Sequence, residues 1–147
     1  MPLIAELIRG LARYERLEDQ VSMTEARLYA TLFGSKRYAE TLIAELDGKA
    51  VGFALFFHNY STFLARPGIY LEDLFVPETH RGQGIGRALL TRLAAIAVER
   101  DCGRLEWAVL DWNRDAIGFY ERLGAKPNAE WTVYRLTGDA LAGLARE

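Results

Sequence analysis

Apolar positions recur at helical spacing at Leu3, Ile4, Leu7, Ile8 and Leu11, which predicts an opening helix continuing to about Tyr14. A polar, acidic turn follows through Glu15, Glu18 and Asp19, and Thr24 then caps a second short helix. The pattern changes to β-branched and aromatic runs over residues 41–46 and 50–58, joined by Asp47-Gly48, a hairpin signal. After an aromatic connection (residues 59–63) and an Arg66-Pro67-Gly68 turn, a third strand is expected over residues 69–76. Simple alternation puts Tyr70, Glu72, Leu74 and Val76 on one face of it and Leu71, Asp73 and Phe75 on the other. An apolar stripe of Ile85, Leu89, Leu93, Ile96 and Ala97 predicts a helix over residues 85–100, with Gly103 as its C-cap. A strand over 105–110 follows, parallel to the third because a helix separates them. Asn113 caps a helix closed by Gly124, and residues 131–136 read as a last strand.

The stretch between the third strand and its helix carries the first chemical signal. In Arg81-Gly82-Gln83-Gly84-Ile85-Gly86-Arg87, glycines at alternate positions remove side chains where backbone N–H groups emerge at a helix start, at the positive end of its dipole. Such a place cradles an anion, and phosphate is the natural one. Neither the dinucleotide pattern G-x-G-x-x-G nor the P-loop pattern fits the spacing. Glycines alone are equally consistent with a mere tight connection.

Composition narrows the classes. At 147 residues, half of them apolar, the chain suits one globular domain with a core. A net charge of −2 gives no general attraction to nucleic acid or anionic membrane, while His80, Arg81, Arg87 and Arg92 make the loop and helix locally basic. One cysteine and two histidines argue against disulfides and a metal centre, and Cys102, at the negative end of a helix, against a nucleophilic thiolate. With no leader pattern and no bilayer-length apolar run, the expected location is the cytoplasm.

Two stretches together resemble a known family. The loop above, after a Leu74-Phe75-Val76 strand end, and Trp112-Asn113-Arg114-Asp115-Ala116-Ile117-Gly118-Phe119-Tyr120 resemble the cofactor loop and the Asn-x-x-Ala-x-x-Phe-Tyr segment of the GNAT N-acetyltransferases. Tyr70-Leu71-Glu72-Asp73 brings the resemblance nearest to the spermidine/spermine and thialysine N-acetyltransferase branch. It implies the α/β (α+β) GNAT fold: a mixed central sheet with antiparallel N-terminal strands, a splayed parallel pair at the cofactor site and helices on both faces. It also implies a single N-acetyltransferase domain over residues 1–147. Members usually begin with a strand before the first helix, which is absent here: either the start is truncated or the sheet lacks that edge strand.

The resemblance implies acetyl-CoA as co-substrate and no metal. Phe75 and Val76 would hold the acetyl and pantetheine parts through backbone N–H groups. Arg81, Gly82, Gln83, Gly84, Ile85, Gly86 and Arg87 would take the pyrophosphate. Asn113 would contact the cofactor or act only as a helix cap. Tyr120 would be the acid that protonates the departing thiolate, the other reading being a packed aromatic. Glu72 is the candidate base, since apolar neighbours favour a carboxylate that takes up a proton, or it serves only as a charge partner for the amine. Glu15, Asp73 and Tyr134 are candidates for binding the acceptor, Asp73 through a second amine or a partner subunit. The implied reaction is direct attack of a primary amine of a polyamine or thialysine-like amino acid. Acetylation of protein N-termini or lysines, and a silent acyl-CoA-binding module, remain open. The branch further implies a homodimer, for which the aromatic-rich stretch of Trp131, Tyr134 and Leu136 and the connection through Tyr60, Phe63 and Leu64 offer apolar surface, with Tyr134 near the partner's acceptor site.

Overall fold

The computed structural model describes residues 2–147 and resolves into two compact units, one ending at Leu110 and the other beginning at Asp111. In the first unit, helix α1 (Pro2–Tyr14), a 3-10 turn (Glu18–Gln20) and helix α2 (Glu25–Phe33) precede strands β1 (Glu40–Leu46), β2 (Lys49–Ser61) and β3 (Arg66–Phe75). A second 3-10 turn (Glu78–His80), helix α3 (Ile85–Glu99) and strand β4 (Leu105–Trp107) complete it. The sheet order is β1-β2-β3-β4, antiparallel except for the parallel β3–β4 pair.

Local chemistry accounts for the element ends. Thr24 accepts the Arg27 N–H at 3.1 Å and starts α2. Asp47 and Gly48 both take positive φ, 53° and 78°, as the two-residue hairpin between β1 and β2 demands. The C-terminus of α3 departs from expectation. Asp101, at φ 58°, takes the left-handed position, with Cys102 N–H donating to Ala97 O at 2.8 Å. Gly103 lies just beyond, where a Cβ would stand 2.7 Å from the tip of the exposed Leu64 side chain, which would have to move aside. Residues 66–68 are also not a turn, because Pro67 lies within β3 opposite Tyr60.

α1 and α2 cover one face of the sheet. Ile4 and Ala5 pack with Leu28 and Leu32, while Leu7 and Leu11 pack with fully buried Phe53 and with Phe75. α3 covers the other face, so close that a Cβ on Gly52 would lie 3.1 Å from Ile85 Cγ2. A buried phenylalanine such as Phe53 contributes several kcal/mol, with truncation to alanine costing about 3–5 kcal/mol. Helices on both faces of a mixed sheet are therefore as expected.

The expected alternation along β3 is broken. Leu55 pairs with Asp73 and the next residue, Phe56, with Leu71, so Glu72 is one residue too many and forms a β-bulge. The bulge changes the strand's parity. Leu71 faces the α3 side with Phe56, whereas Phe75, four residues on, faces the α1 side with Phe53. Asp73 is thereby turned to the α1 side, the same side as Tyr70, whose ring stands 5.3 Å from that of Phe57.

In the second unit, α4 (Arg114–Arg122) and α5 (Gly138–Ala145) are joined by irregular chain. The strand expected at residues 131–136 is not formed. A strand needs a neighbour to satisfy its backbone groups, and alternating apolar residues cannot say where that neighbour comes from.

Candidate active site

β4 pairs with β3 only through Ile69–Leu105, Tyr70–Glu106 and Leu71–Trp107. The pairing ends there because β4 stops at Trp107, and the bulge at Glu72 sits directly after the last paired residue of β3, Leu71.

The glycine loop lies just beyond. Gly82 and Gly84 both have φ of 80°, which L side chains rarely adopt, and a Cβ on either would meet nothing within 4 Å. Gly84 is the N-cap of α3 and brings no side chain of its own to cap the first N–H groups at the positive end of the dipole, an arrangement that fits a phosphate. An open groove of about 460 Å³ runs on along α3, lined by Gly84, Arg87, Ala88, Thr91, Arg92 and Ala95. Arg87 and Arg92 are two of the residues that make this region locally basic in sequence; Thr91 and Ala95 join them because their spacing from Gly84 puts them on the same helical face. The Arg81 side chain is engaged within the protein: its Nε donates to Val76 O at 3.0 Å and its guanidinium lies over the Tyr14 ring.

Three predicted acceptor-side carboxylates come together. Glu15, just after α1, and Glu72 and Asp73 of β3 lie within one another's electrostatic reach. Partial burial, then the Glu72 charge, raise Glu15 above its ordinary value. The desolvation expected of Glu72 falls on its neighbour: Glu72 is exposed and Asp73 half-buried. Burial, with the charges of Glu72 and Glu15 added, pushes Asp73 up from its ordinary 3.8 to about 7. Tyr70, partly buried near Glu72 and Glu106, is raised in the same sense. Such a cluster is uncomfortable alone and is relieved by a cation. Among the described residues, no group of three or more His, Cys, Asp or Glu has a geometry to hold a metal ion, and no helix is long and apolar enough to cross a membrane.

The cluster has a consequence for stability. The folded chain keeps the Asp73 proton up to about pH 7, whereas an unfolded aspartate releases it near 3.8. Between those values the folded state binds more protons, so this group's contribution to stability declines as pH rises from about 4 to 7. Asp73→Asn is expected to melt higher than the parent at pH 8, with the gap shrinking towards pH 4. A difference of about 1 kcal/mol moves the melting point of a domain this size by roughly 2–4 °C or more. A pH-independent gap in thermal melts would refute this.

In the second unit, Asn113 caps α4 by accepting the Ala116 N–H at 3.3 Å. Tyr120, in the last turns of α4, is half-buried, its ring centroid 5.6 Å from that of Phe119 at 45°. Tyr134 lies on the irregular segment and is 92% exposed.

Residues 5–125 match the Acetyltransferase (GNAT) family. The chain is 40% identical to a thialysine N-epsilon-acetyltransferase of Bos taurus, over 97% of this chain and 89% of that one. It is 35% identical to an L-ornithine N5-acetyltransferase of Arabidopsis thaliana, over 98% and 83%. An integron cassette protein from the mobile metagenome of V. cholerae superposes with a TM-score of 0.83, at 30% identity, covering 99% of this chain and 90% of the other.

Proposed function

Because the chain belongs to the GNAT acetyltransferase family and is an N-acetyltransferase, we propose that it moves the acetyl group of acetyl-CoA to a primary amine of a small diamine-like substrate, a thialysine-like amino acid or a polyamine, by direct attack. The observation that carries the acceptor class is the grouping of Glu15, Glu72 and Asp73 within electrostatic reach of one another, next to where the β3–β4 pairing ends. A second ammonium on the substrate would answer that charge, while the first loses its proton and attacks. Thialysine and ornithine, named for two relatives, each carry two amines.

Acetyl-CoA supplies an activated thioester carbonyl. In this reading the N–H groups from Gly82 to Arg87 hold its pyrophosphate, with Gln83, Ile85, Gly86 and the Arg81 loop shaping the cradle, and the free β3 edge at Phe75 and Val76 holds the acyl arm. Glu72, exposed at the bulge, takes the amine proton through water. Asp73 and Glu15 hold the distal ammonium. Tyr120 donates a proton to the leaving thiolate, and Asn113 adds a cofactor contact to its capping bond. The locally basic α3 face suits a phosphorylated co-substrate. We place the reaction in the cytoplasm.

The test is thiol release from acetyl-CoA across spermidine, putrescine, thialysine, ornithine, monoamines and N-terminal peptides. Diamines and thialysine-like amino acids are expected to turn over with kcat/KM at least about tenfold above monoamines, the value of one charge-assisted contact. Preference for peptides would move the assignment to protein acetylation. Binding without any turnover would leave an acyl-CoA-binding module.

The same reading includes a two-fold homodimer with Tyr134 near the partner's acceptor site. Trp131, Val133 and Tyr134 are 75%, 87% and 92% exposed, and Tyr60, Phe63 and Leu64 add apolar surface at the β2–β3 turn. Light scattering is expected to give about twice the chain mass of 16.6 kDa at micromolar concentration. A mass of one chain throughout would refute it.

A further inference from the structure

Arg81 belongs by sequence to the phosphate loop, yet its bonds bind that loop to the acceptor side. Its Nε donates to Val76 O at 3.0 Å, at the end of β3, and its own N–H donates to Glu78 O at 3.3 Å. The guanidinium carbon stands 4.4 Å from the centroid of the Tyr14 ring and 6.0 Å from that of Phe75. Tyr14 is the last residue of α1 and packs on the core formed by Leu7, Leu11, Phe53 and Phe75. α1 comes so near Phe75 that a Cβ on Gly10 would lie 2.9 Å from its ring.

The residue after Tyr14 is Glu15, whose position is held by the helix ending. Leu17 N–H donates to Ala12 O at 2.9 Å and Arg16 N–H to Arg13 O at 3.2 Å, with Arg16 left-handed at φ 62°. These are the two bonds of a Schellman ending, with a strained arginine where glycine is preferred. Glu15 thus stands at the negative end of α1, partly desolvated and near Glu72, an unfavourable place for a carboxylate.

Resting on the acetyl-transfer reading above, we infer that Arg81 is a positioning residue that couples the phosphate loop to the acceptor carboxylate Glu15. By holding Tyr14 beneath its guanidinium it sets where Glu15 stands relative to Glu72 and Asp73. Acceptor affinity then depends on a residue of the cofactor loop, through a ring that touches no phosphate.

The test uses the full-length enzyme with saturating acetyl-CoA and an amine that the wild type turns over. Tyr14→Leu is expected to raise the acceptor KM about threefold or more, the scale of one lost cation–π contact. Its kcat and the calorimetric Kd for acetyl-CoA should stay within about twofold. Tyr14→Phe, which keeps the ring, restores the KM. Arg81→Met raises the KM by a similar factor, and the double variant is no worse than the worse single one, since both remove one contact. An acceptor KM that rises less than threefold in Tyr14→Leu, or single effects that multiply in the double variant, overturns the inference. Should Tyr14→Leu fail to fold, Arg81→Met against Arg81→Lys gives the same reading, with Lys keeping a charge over the ring and lying closer to wild type. Failure of the functional reading is separately visible: the wild type itself would turn over no amine, and the inference would fall with it.

Discussion

Gly84→Asp is expected to abolish acetyl-CoA binding while leaving the fold in place. Gly84 is the N-cap of α3 at φ 80°, with open space where a side chain would begin. Aspartate is among the residues that tolerate a left-handed backbone and is a favoured N-cap, so the helix itself would gain a partner. That partner is the difficulty. Its carboxylate would accept from the N–H groups that are otherwise left for phosphate, and would repel the pyrophosphate with a like charge. Calorimetry is expected to show the Kd rising by roughly 10²-fold or more, from lost charge-assisted bonds and added repulsion. Gly84→Ala carries the same backbone strain without the charge and should stay within about tenfold of wild type. The parent's melting point should climb with the logarithm of acetyl-CoA excess, whereas that of Gly84→Asp should not move. Unchanged affinity in the aspartate variant would place the phosphates elsewhere.

What could be read from the chain, and what could not, divides along a physical line. Local signals held where one short stretch decides the outcome. Asp47-Gly48 needs no tertiary context to make a hairpin, Thr24 and Asn113 cap their helices with their own side chains, and Gly82 and Gly84 take the left-handed backbone that only glycine adopts freely. The misses arise where a neighbour decides. Alternation along β3 assigns Asp73 to the face of Leu71 because a bulge leaves no mark in one strand; it exists only in the pairing of Leu55 and Phe56 with Asp73 and Leu71. That single inserted residue moves the desolvated carboxylate from Glu72 to Asp73. At the end of α3 the left-handed position falls on Asp101, two residues before Gly103, as fixed by the Cys102 N–H bond to Ala97 O. The apolar alternation at residues 131–136 has the pattern of a strand, yet these residues lie exposed, and among the described residues no strand pairs with them. In sequence Tyr14 marks only the end of a helix, and the three-dimensional approach of Arg81 is what gives its ring a partner.

Tyr120→Phe is expected to lower kcat by roughly 10²-fold or more, within the usual range for loss of a general acid, with little effect on folding. Neighbouring residues on a helix point about 100° apart, so Phe119 and Tyr120 cannot both serve one packing face. Their rings, 5.6 Å apart at 45°, already share an aromatic contact that phenylalanine at position 120 would preserve. The substitution therefore isolates the hydroxyl. A phenol, with an ordinary pKa near 10, stays protonated at neutral pH and can give its proton to a departing thiolate. In the wild type the kcat/KM profile should then be bell-shaped, and Tyr120→Phe should remove its basic limb. Glu72→Gln should remove the acidic limb if Glu72 takes the amine proton, and should raise KM alone, with that limb intact, if it only holds the amine. Loss of both limbs in either single variant would mean that the two groups titrate as one coupled unit. A loss of kcat below about threefold in Tyr120→Phe would reduce Tyr120 to packing, and the thiolate would have to leave unprotonated or take its proton from water.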